Sequence, residues 1–333
     1  MYSAETVNSR TPPPGVIDTA PDLLSGWRYR AVISSVVLAA AGYLGFALWS
    51  GWQDVAAAVA KVGLLGVVIA LMLSMVNYGL RFIRWQMFLG AMGHPVPWWP
   101  SLKIYLAGFA LTTTPGKAGE TLRGVLLKAW GVPYPTSLAA FLSERLSDLL
   151  AVVALALVGL TIYPAAQPLI VTGALALASV FVVLSNGRLL KRIHGTIRSD
   201  SRLPTLARHL IEVLLKARRC QSPMLLGAAT GLSLAAWTAE AWALYLILRW
   251  MGLEVSLPFA VFVYAISMLA GALSFMPGGL GGSEAVMIEL LAVGGTLLPD
   301  AIAATVLIRL TTLWFAVMIG FFLLAIHSRK NKR

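Results

Sequence analysis

Glu144, Arg145 and Asp148 crowd one turn of an otherwise Leu/Ala/Val-rich stretch, 135–163. At helical spacing Glu144 and Asp148 are i,i+4 neighbours and Arg145 and Asp148 are i,i+3, so the three form one polar stripe. A charge inside an apolar span is costly unless it meets an opposite charge or water. The stripe therefore reads either as an ion network that locks helix packing or as an anion site around Arg145, with the acids tuning charge or carrying protons. A second arginine, Arg309, recurs in the same setting. Glu120 precedes Arg145 by 25 residues and Glu284 precedes Arg309 by the same 25; Leu follows each Arg, then Ser147-Asp148 or Thr311-Thr312. The recurrence favours a shared task for the two arginines, namely holding an anion.

Each of these glutamates follows a Gly-rich break. The first runs Thr112-Thr113-Thr114-Pro115-Gly116-Lys117-Ala118-Gly119-Glu120 and the second Pro277-Gly278-Gly279-Leu280-Gly281-Gly282-Ser283-Glu284. A helix that begins after such a break points unpaired N–H groups and the positive end of its dipole at the tip, which suits a phosphate or carboxylate. The plainer alternative for either Glu is a capping carboxylate beside a tight turn. Lys117 either meets an anionic headgroup or is solvated at a cavity mouth, and Arg123 lies one turn beyond Glu120. Arg81 and Arg84 close an apolar span, where snorkelling to the membrane surface is expected; contact with substrate is the alternative for both. Glu240 reads as a proton-carrying or pairing acid. The candidate substrate-binding residues are thus Arg145, Arg309, Lys117, Arg123, Glu120, Glu144, Asp148, Glu284, Glu240 and Arg84. The candidate gate residues are Pro115, Gly116, Gly119, Pro277, Gly278, Gly279, Gly281 and Gly282. His94, His194, His209 and His327 lack metal-ligand spacing, Cys220 is the single cysteine, and no P-loop occurs. No metal, cofactor or catalytic residue is expected, and the chain is not read as an enzyme.

The elements that must carry these residues follow from composition. Of 333 residues, 58% are hydrophobic and 12% charged, far from the roughly 25% charged of a soluble domain. Disorder, a disulfide scaffold and a transmembrane β-barrel are all excluded, and an all-α polytopic membrane protein remains. Six apolar segments read as spanning helices, at 31–50, 62–89, 135–163, 168–186, 223–250 and 299–327. Two further stretches, 101–114 with 119–131 and 257–276 with 281–295, read as re-entrant helical hairpins whose Pro-Gly tips lie inside the membrane; full spanning of both hairpins, giving ten spans, is the alternative. Upstream, Arg84-Trp85 is echoed by Arg249-Trp250 and Tyr105 by Tyr264. Alternating spans place the copies, about 62–163 and 223–327, in opposite orientations, and inverted repeats with interrupted helices are a transporter architecture.

The net charge is +12, and it is concentrated beside the spans rather than spread over a nucleic-acid face. Nine basic residues against two acids lie in the loop 187–222, four basic residues end the chain (Arg329, Lys330, Lys332 and Arg333), and Arg28 and Arg30 precede the first span. By the positive-inside rule these three regions are cytoplasmic, and no nucleic-acid partner is expected. Residues 1–30 read as a polar cytoplasmic tail, 31–327 as the membrane domain and 328–333 as a basic cytoplasmic end. Trp98 and Trp99 read as interfacial anchors, and Cys220, in the basic loop, as a reduced thiol.

Taken together, Arg84-Trp85, Pro115 through Arg123, Glu144-Arg145 with Asp148, and Pro277 through Gly281 resemble the motifs of the flippase-like domain family, also called the lysylphosphatidylglycerol synthase transmembrane region. The resemblance covers about residues 30–327. In the aminoacyl-lipid synthases of that family this module is joined to a soluble aminoacyltransferase domain. Here six residues follow His327, so the resemblance implies the lipid-translocating half without the synthase half. It implies membrane lipids as partners, with lipid-synthesis enzymes as further partners, but not which lipid. The expectation is a flippase of a bacterial inner membrane that moves an anionic or zwitterionic headgroup by alternating access. A membrane-embedded enzyme or enzyme subunit of lipid-linked biosynthesis, or a solute or ion transporter, is the alternative.

Overall fold

The computed structural model describes residues 52–114, 118–158, 211–274 and 276–330, with isolated residues between 34 and 45 and between 167 and 192; the side chains of 118–121, 277 and 325–330 lie outside that description. The expected spans 31–50 and 168–186 therefore fall almost wholly outside the described residues. Among those described every regular element is helical. Three helices, Gln53–Ala91, Pro223–Trp250 and Leu298–Leu324, are long and apolar enough to cross a bilayer. The protein is an all-α membrane protein.

The first helix, α1, spans Trp52–Ala91 and is broken at Gly63, whose φ of 69° and ψ of 170° leave the helical region. A side chain would make that left-handed backbone expensive, and glycine removes the obstacle. The expected span 62–89 is the part beyond the kink. A short link leads to α2, Trp98–Ala107, which tightens into a 3₁₀ turn over Gly108–Leu111. After the first break comes α3, Ala118–Lys128, and then α4, Tyr134–Val158, which corresponds to the expected span at 135–163. Trp98 and Trp99 are both exposed.

In the second half, α5 covers Pro223–Trp250, with Pro at its first position and Met251-Gly252 closing its end. Helix α6, Leu257–Leu273, is capped by Ser256, whose hydroxyl accepts from the Phe259 N–H. The second break then leads to α7, Gly282–Val293. At about 1.5 Å per residue, α3 and α7, with 11 and 12 residues, reach roughly 17–18 Å, well short of a ~30 Å hydrocarbon core. The last rod is α8, Leu298–Arg309, a π turn at Leu310–Trp314, and α9, Phe315–Lys330.

Packing orders these helices around α1 and α5, which run antiparallel. A Cβ placed on Gly66 would lie 2.8 Å from the Trp250 ring, Asn77 Nδ2 donates to Ala236 O at 2.9 Å, and Arg84 hydrogen-bonds Ser233, so numbers rise on one helix as they fall on the other. Helix α4 lies across this pair, and α6 packs against α4, α5 and α7. The final rod serves both hairpins. Its α8 half packs on α7 and α1, whereas α9 crosses the 3₁₀ turn of the first hairpin so closely that Gly320 meets the Ala110 backbone. Aromatic rings fill the space between α1 and the first hairpin, with Tyr105 5.2 Å from Phe109 and 5.7 Å from Phe82 between ring centroids.

Candidate functional site

Two polar stripes meet inside this bundle. Along α1, Ser74, Asn77, Arg81 and Arg84 recur every three or four residues, and along α5 Ser233, Trp237 and Glu240 do the same. Antiparallel packing turns these stripes toward each other, and α4 brings Glu144 and Asp148 between them.

Asp148 is the hub. Arg84 Nη1 lies 2.5 Å from its Oδ1, and Trp237 Nε1 donates to the same oxygen at 3.0 Å. Its other oxygen, Oδ2, faces Arg81 Nη2 and Arg145 Nη2, each at 3.3 Å. Glu144 accepts from Arg123 Nη1 at 3.1 Å through Oε2, while Arg84 Nη2 stands 3.6 Å from Oε1, beyond hydrogen-bond length. Arg123 is also held by rings, its guanidinium carbon 4.3 Å from the Tyr105 centroid and 5.3 Å from that of Trp85. Such stacking partly replaces the water lost by a buried cation.

The snorkelling expected of Arg81 and Arg84 is not what the fold does with them. Arg84 is fully buried and Arg81 nearly so. Their helix face turns to α4 and α5, where the carboxylates of Asp148 and Glu144 offset the desolvation that would otherwise drive the guanidiniums to the surface.

The two arginines at matching register occupy unlike surroundings. Arg145 leaves 38% of its side chain exposed and stacks 5.3 Å over Phe141, at the rim of the cluster. Arg309 is buried: Nε sits 2.6 Å from Glu284 Oε1, Nη2 donates to Gly278 O at 2.9 Å, and Nη1 lies 3.9 Å from Met268 Sδ. Ser283 Oγ donates to Glu284 Oε2 at 3.0 Å. Of the first-half counterparts, Lys117, Pro115 and Gly116 lie outside the described residues. Gly119 and Glu120 open α3, the Glu120 side chain being outside the description.

At the second tip, Gly278, Gly279 and Gly281 take φ values of 64°, 70° and 83°, which side chains resist. Gly282 begins α7, its missing Cβ facing Ser274 at 2.8 Å. The two breaks are neighbours: a Cβ on Gly278 would lie 3.4 Å from Thr113 Cγ2 in the first and 3.6 Å from Leu313 in the π turn. Tyr78 donates to Thr312 O in that same turn at 2.5 Å. Glu240, one turn beyond Trp237 on α5, lies between the two groups, within electrostatic reach of Arg81, Arg309 and Asp148. It accepts from Tyr264 OH at 2.5 Å, with no ion pair among the described residues.

Outside the spans, Cys220 is buried rather than open to solvent, and burial pushes its thiol up to about 11. His94, after α1, is held below its ordinary value by burial and then by nearby Lys216 and Arg219. Met92 and Val96 share an apolar cluster with Ala217 and Cys220, which sets the basic 216–219 segment beside the α1–α2 link.

Glu144, Asp148, Arg123 and Arg84, visible as charges beside or within apolar runs, are united by the fold. The partners Ser233, Trp237, Tyr105 and Tyr264 carry no such mark in the sequence. The period of Ser233, Trp237 and Glu240 on α5 was the available signal.

Interrupted apolar helices around a buried, ion-paired interior define a multi-pass membrane protein. The chain belongs to the family described as the lysylphosphatidylglycerol synthase TM region, which it matches over residues 32–320. It is 27% identical over 300 residues to a UPF0104 membrane protein of Methanothermobacter thermautotrophicus, an alignment spanning 83% of this chain and 88% of that protein. A further UPF0104 membrane protein of the same organism is 32% identical over 89 residues, 27% of this chain and 26% of that protein.

Proposed function

We propose that this protein is a lipid transporter of the flippase type, passing an anionic or zwitterionic headgroup across a bacterial inner membrane while the acyl chains stay in lipid. The observation that carries the reading is the buried cluster on α1, α3 and α4, where Arg81, Arg84 and Arg123 lie within 4 Å of Asp148 or Glu144. Ionisable groups inside a membrane bundle mark pathways for polar cargo. Membership of a lipid-synthase transmembrane family directs the choice of cargo to lipid.

Two features support alternating access between inverted repeats. The helices at 62–89 and 223–250, equivalent in the repeat pattern, pack antiparallel, as opposite insertion of two copies requires. The second Gly-rich break adjoins Thr113, at the threshold of the first, and a π turn, an arrangement suited to a gate at the midplane. Cytoplasmic termini are favoured by the basic residues Lys216, Arg218 and Arg219, grouped at the end of the bundle that carries the α1–α2 link.

The test is reconstitution into vesicles holding a fluorescent lipid in both leaflets. Protein-dependent exposure of inner-leaflet lipid to an external quencher is expected, and Asp148→Asn should lower its rate at matched protein incorporation. Rates equal to protein-free vesicles for phosphatidylglycerol, phosphatidate, phosphatidylethanolamine and phosphatidylcholine alike would sink the reading.

A further inference from the structure

We propose that the Arg81/Arg84/Arg123 cluster is a phosphate site built for a doubly charged lipid phosphate, a phosphomonoester or diphosphate headgroup, in preference to a singly charged or zwitterionic phosphodiester. The proposal rests on the lipid-transport reading and adds the charge class of the headgroup.

Charge comes first. Three guanidiniums inside the bundle, those of Arg81, Arg84 and Arg123, meet two carboxylates, Glu144 and Asp148, and Arg145 adds a fourth at the 38%-exposed rim, an excess of two positive charges of which one lies at the rim. Arg309, by contrast, is matched one to one by Glu284 and further satisfied by the Gly278 carbonyl. Glu240, three residues beyond Trp237 on α5, is engaged by the Tyr264 hydroxyl instead. Counted as ionised, it still leaves one positive charge over.

Donor inventory gives the second, independent observation. Arg84 is fully buried, yet its Nε and Nη2 have no hydrogen-bond acceptor among the described residues; the same holds for Nε of Arg81, Arg123 and Arg145, against one unpartnered acceptor, Glu144 Oε1, which faces Arg84 Nη2 at 3.6 Å. Buried polar atoms are nearly always partnered. A guanidinium only donates and these donors outnumber the one free acceptor, so what completes this cluster accepts, and is anionic to offset the excess. A phosphomonoester brings three strong acceptor oxygens and about −1.5 to −2 charge at pH 7. A phosphodiester brings two free oxygens and one charge, and a zwitterion adds an ammonium that would face guanidiniums. The rings of Tyr105 and Trp85 fix the plane of Arg123, which favours forked recognition over a mobile point charge.

The experiment uses the purified full chain in detergent, titrated with dioctanoyl phosphatidate, dioctanoyl phosphatidylglycerol, dioctanoyl phosphatidylcholine and inorganic phosphate, with tryptophan fluorescence as the readout. Phosphatidate should bind at least about tenfold more tightly than phosphatidylglycerol, and phosphatidylcholine more weakly still. The advantage should shrink as pH falls below about 6, where the phosphate takes up its second proton. Arg123→Lys should remove most of that preference, and Arg81→Lys, at the less buried edge, serves if the first variant does not fold. Arg309→Lys should lower thermal stability without changing the preference. Equal affinity for the three lipids overturns the proposal, as does a preference lost in Arg309→Lys and kept in Arg123→Lys. Inorganic phosphate binding as tightly as phosphatidate supports the phosphate site and moves its source from lipid to solute. Phosphatidate binding without lipid movement in vesicles keeps the site and sinks the transport reading; lipid movement indifferent to headgroup charge does the reverse.

Discussion

Arg309 Nε lies 2.6 Å from Glu284 Oε1, and the same guanidinium donates to the Gly278 carbonyl 2.9 Å away. One side chain on α8 thereby ties down the helix after the second break and the break itself, with Met268 of α6 against its remaining nitrogen. A buried ion pair of this kind adds little net stability over an apolar replacement, but it fixes geometry, and losing one member strands the other. Here the stranded group would sit at the second tip, where Gly278 adjoins Thr113 and Leu313 of the π turn.

Glu284→Gln should therefore destabilise the protein by roughly 3–5 kcal/mol, because it leaves the Arg309 guanidinium buried without its counter-charge. Arg309→Lys keeps the charge but cannot reach both Glu284 and Gly278 O in a fork, and should cost less, about 1–3 kcal/mol. Thermal unfolding in one detergent, compared at equal protein concentration, ranks the two. Equal melting temperatures for wild type and Glu284→Gln would remove the latch.

The Asp148 hub and its rim make a second ordering. Asp148→Asn removes the ion-pair partner of Arg81 and leaves Arg84 with Glu144 at 3.6 Å, and should cost roughly 3–5 kcal/mol. Arg145→Ala removes a cation that is 38% exposed, and should cost no more than about 1 kcal/mol after solvent screening. The matching 25-residue spacings with Glu120 and Glu284 had suggested equal weight for Arg145 and Arg309. An Arg145→Ala variant as unstable as Asp148→Asn would restore that equality.

What the sequence displayed, and what it hid, divides by range. Spans were legible because apolar runs and their punctuation are local: α5 begins and ends where Pro223 and Gly252 announce it, and the second break falls on its glycines. Placement of Arg84 was hidden. A pair of arginines near the end of an apolar run looks the same whether the surface or a carboxylate receives them, and the receiving carboxylate, Asp148, is 64 residues away. The same holds for Arg123, whose ring partners Trp85 and Tyr105 come from two other helices. Residue types at the site were readable, but pairings across helices were not.

The glycines of the second tip supply a prediction about motion. Gly281 has φ of 83°, and a Cβ there costs about 1–2 kcal/mol in backbone strain. Gly281→Ala should lower stability by that amount, and Gly281→Leu, which also crowds Met276, should stop lipid movement in vesicles while expression persists. The measurement is the initial rate of external quenching of a fluorescent lipid, normalised to incorporated protein. A normal rate for Gly281→Leu would mean that the tip does not gate.

Cys220 yields the last prediction, one that also revises how orientation is tested. As a thiol in a cytoplasmic loop it would report sidedness through labelling by impermeant reagents. Buried as it is, among Val213, Ala217 and Met92, it should resist those reagents from either side of the membrane. Its thiol is pushed from 9.0 to about 11 by burial, so the folded protein holds it protonated where the unfolded chain has begun to ionise. The contribution to stability is complete below pH 9.0 and is lost as pH rises toward 11. Wild type should accordingly lose stability across that window relative to Cys220→Ala, and maleimide should react at neutral pH only after denaturation. Orientation is then read in the Cys220→Ala background. Single cysteines replacing Arg219 and Glu254, at opposite ends of α5, should label from opposite faces of sealed vesicles, with Arg219→Cys reacting from the cytoplasmic one. Labelling of Arg219→Cys from the outer face would invert the proposed topology, whatever the behaviour of the native thiol.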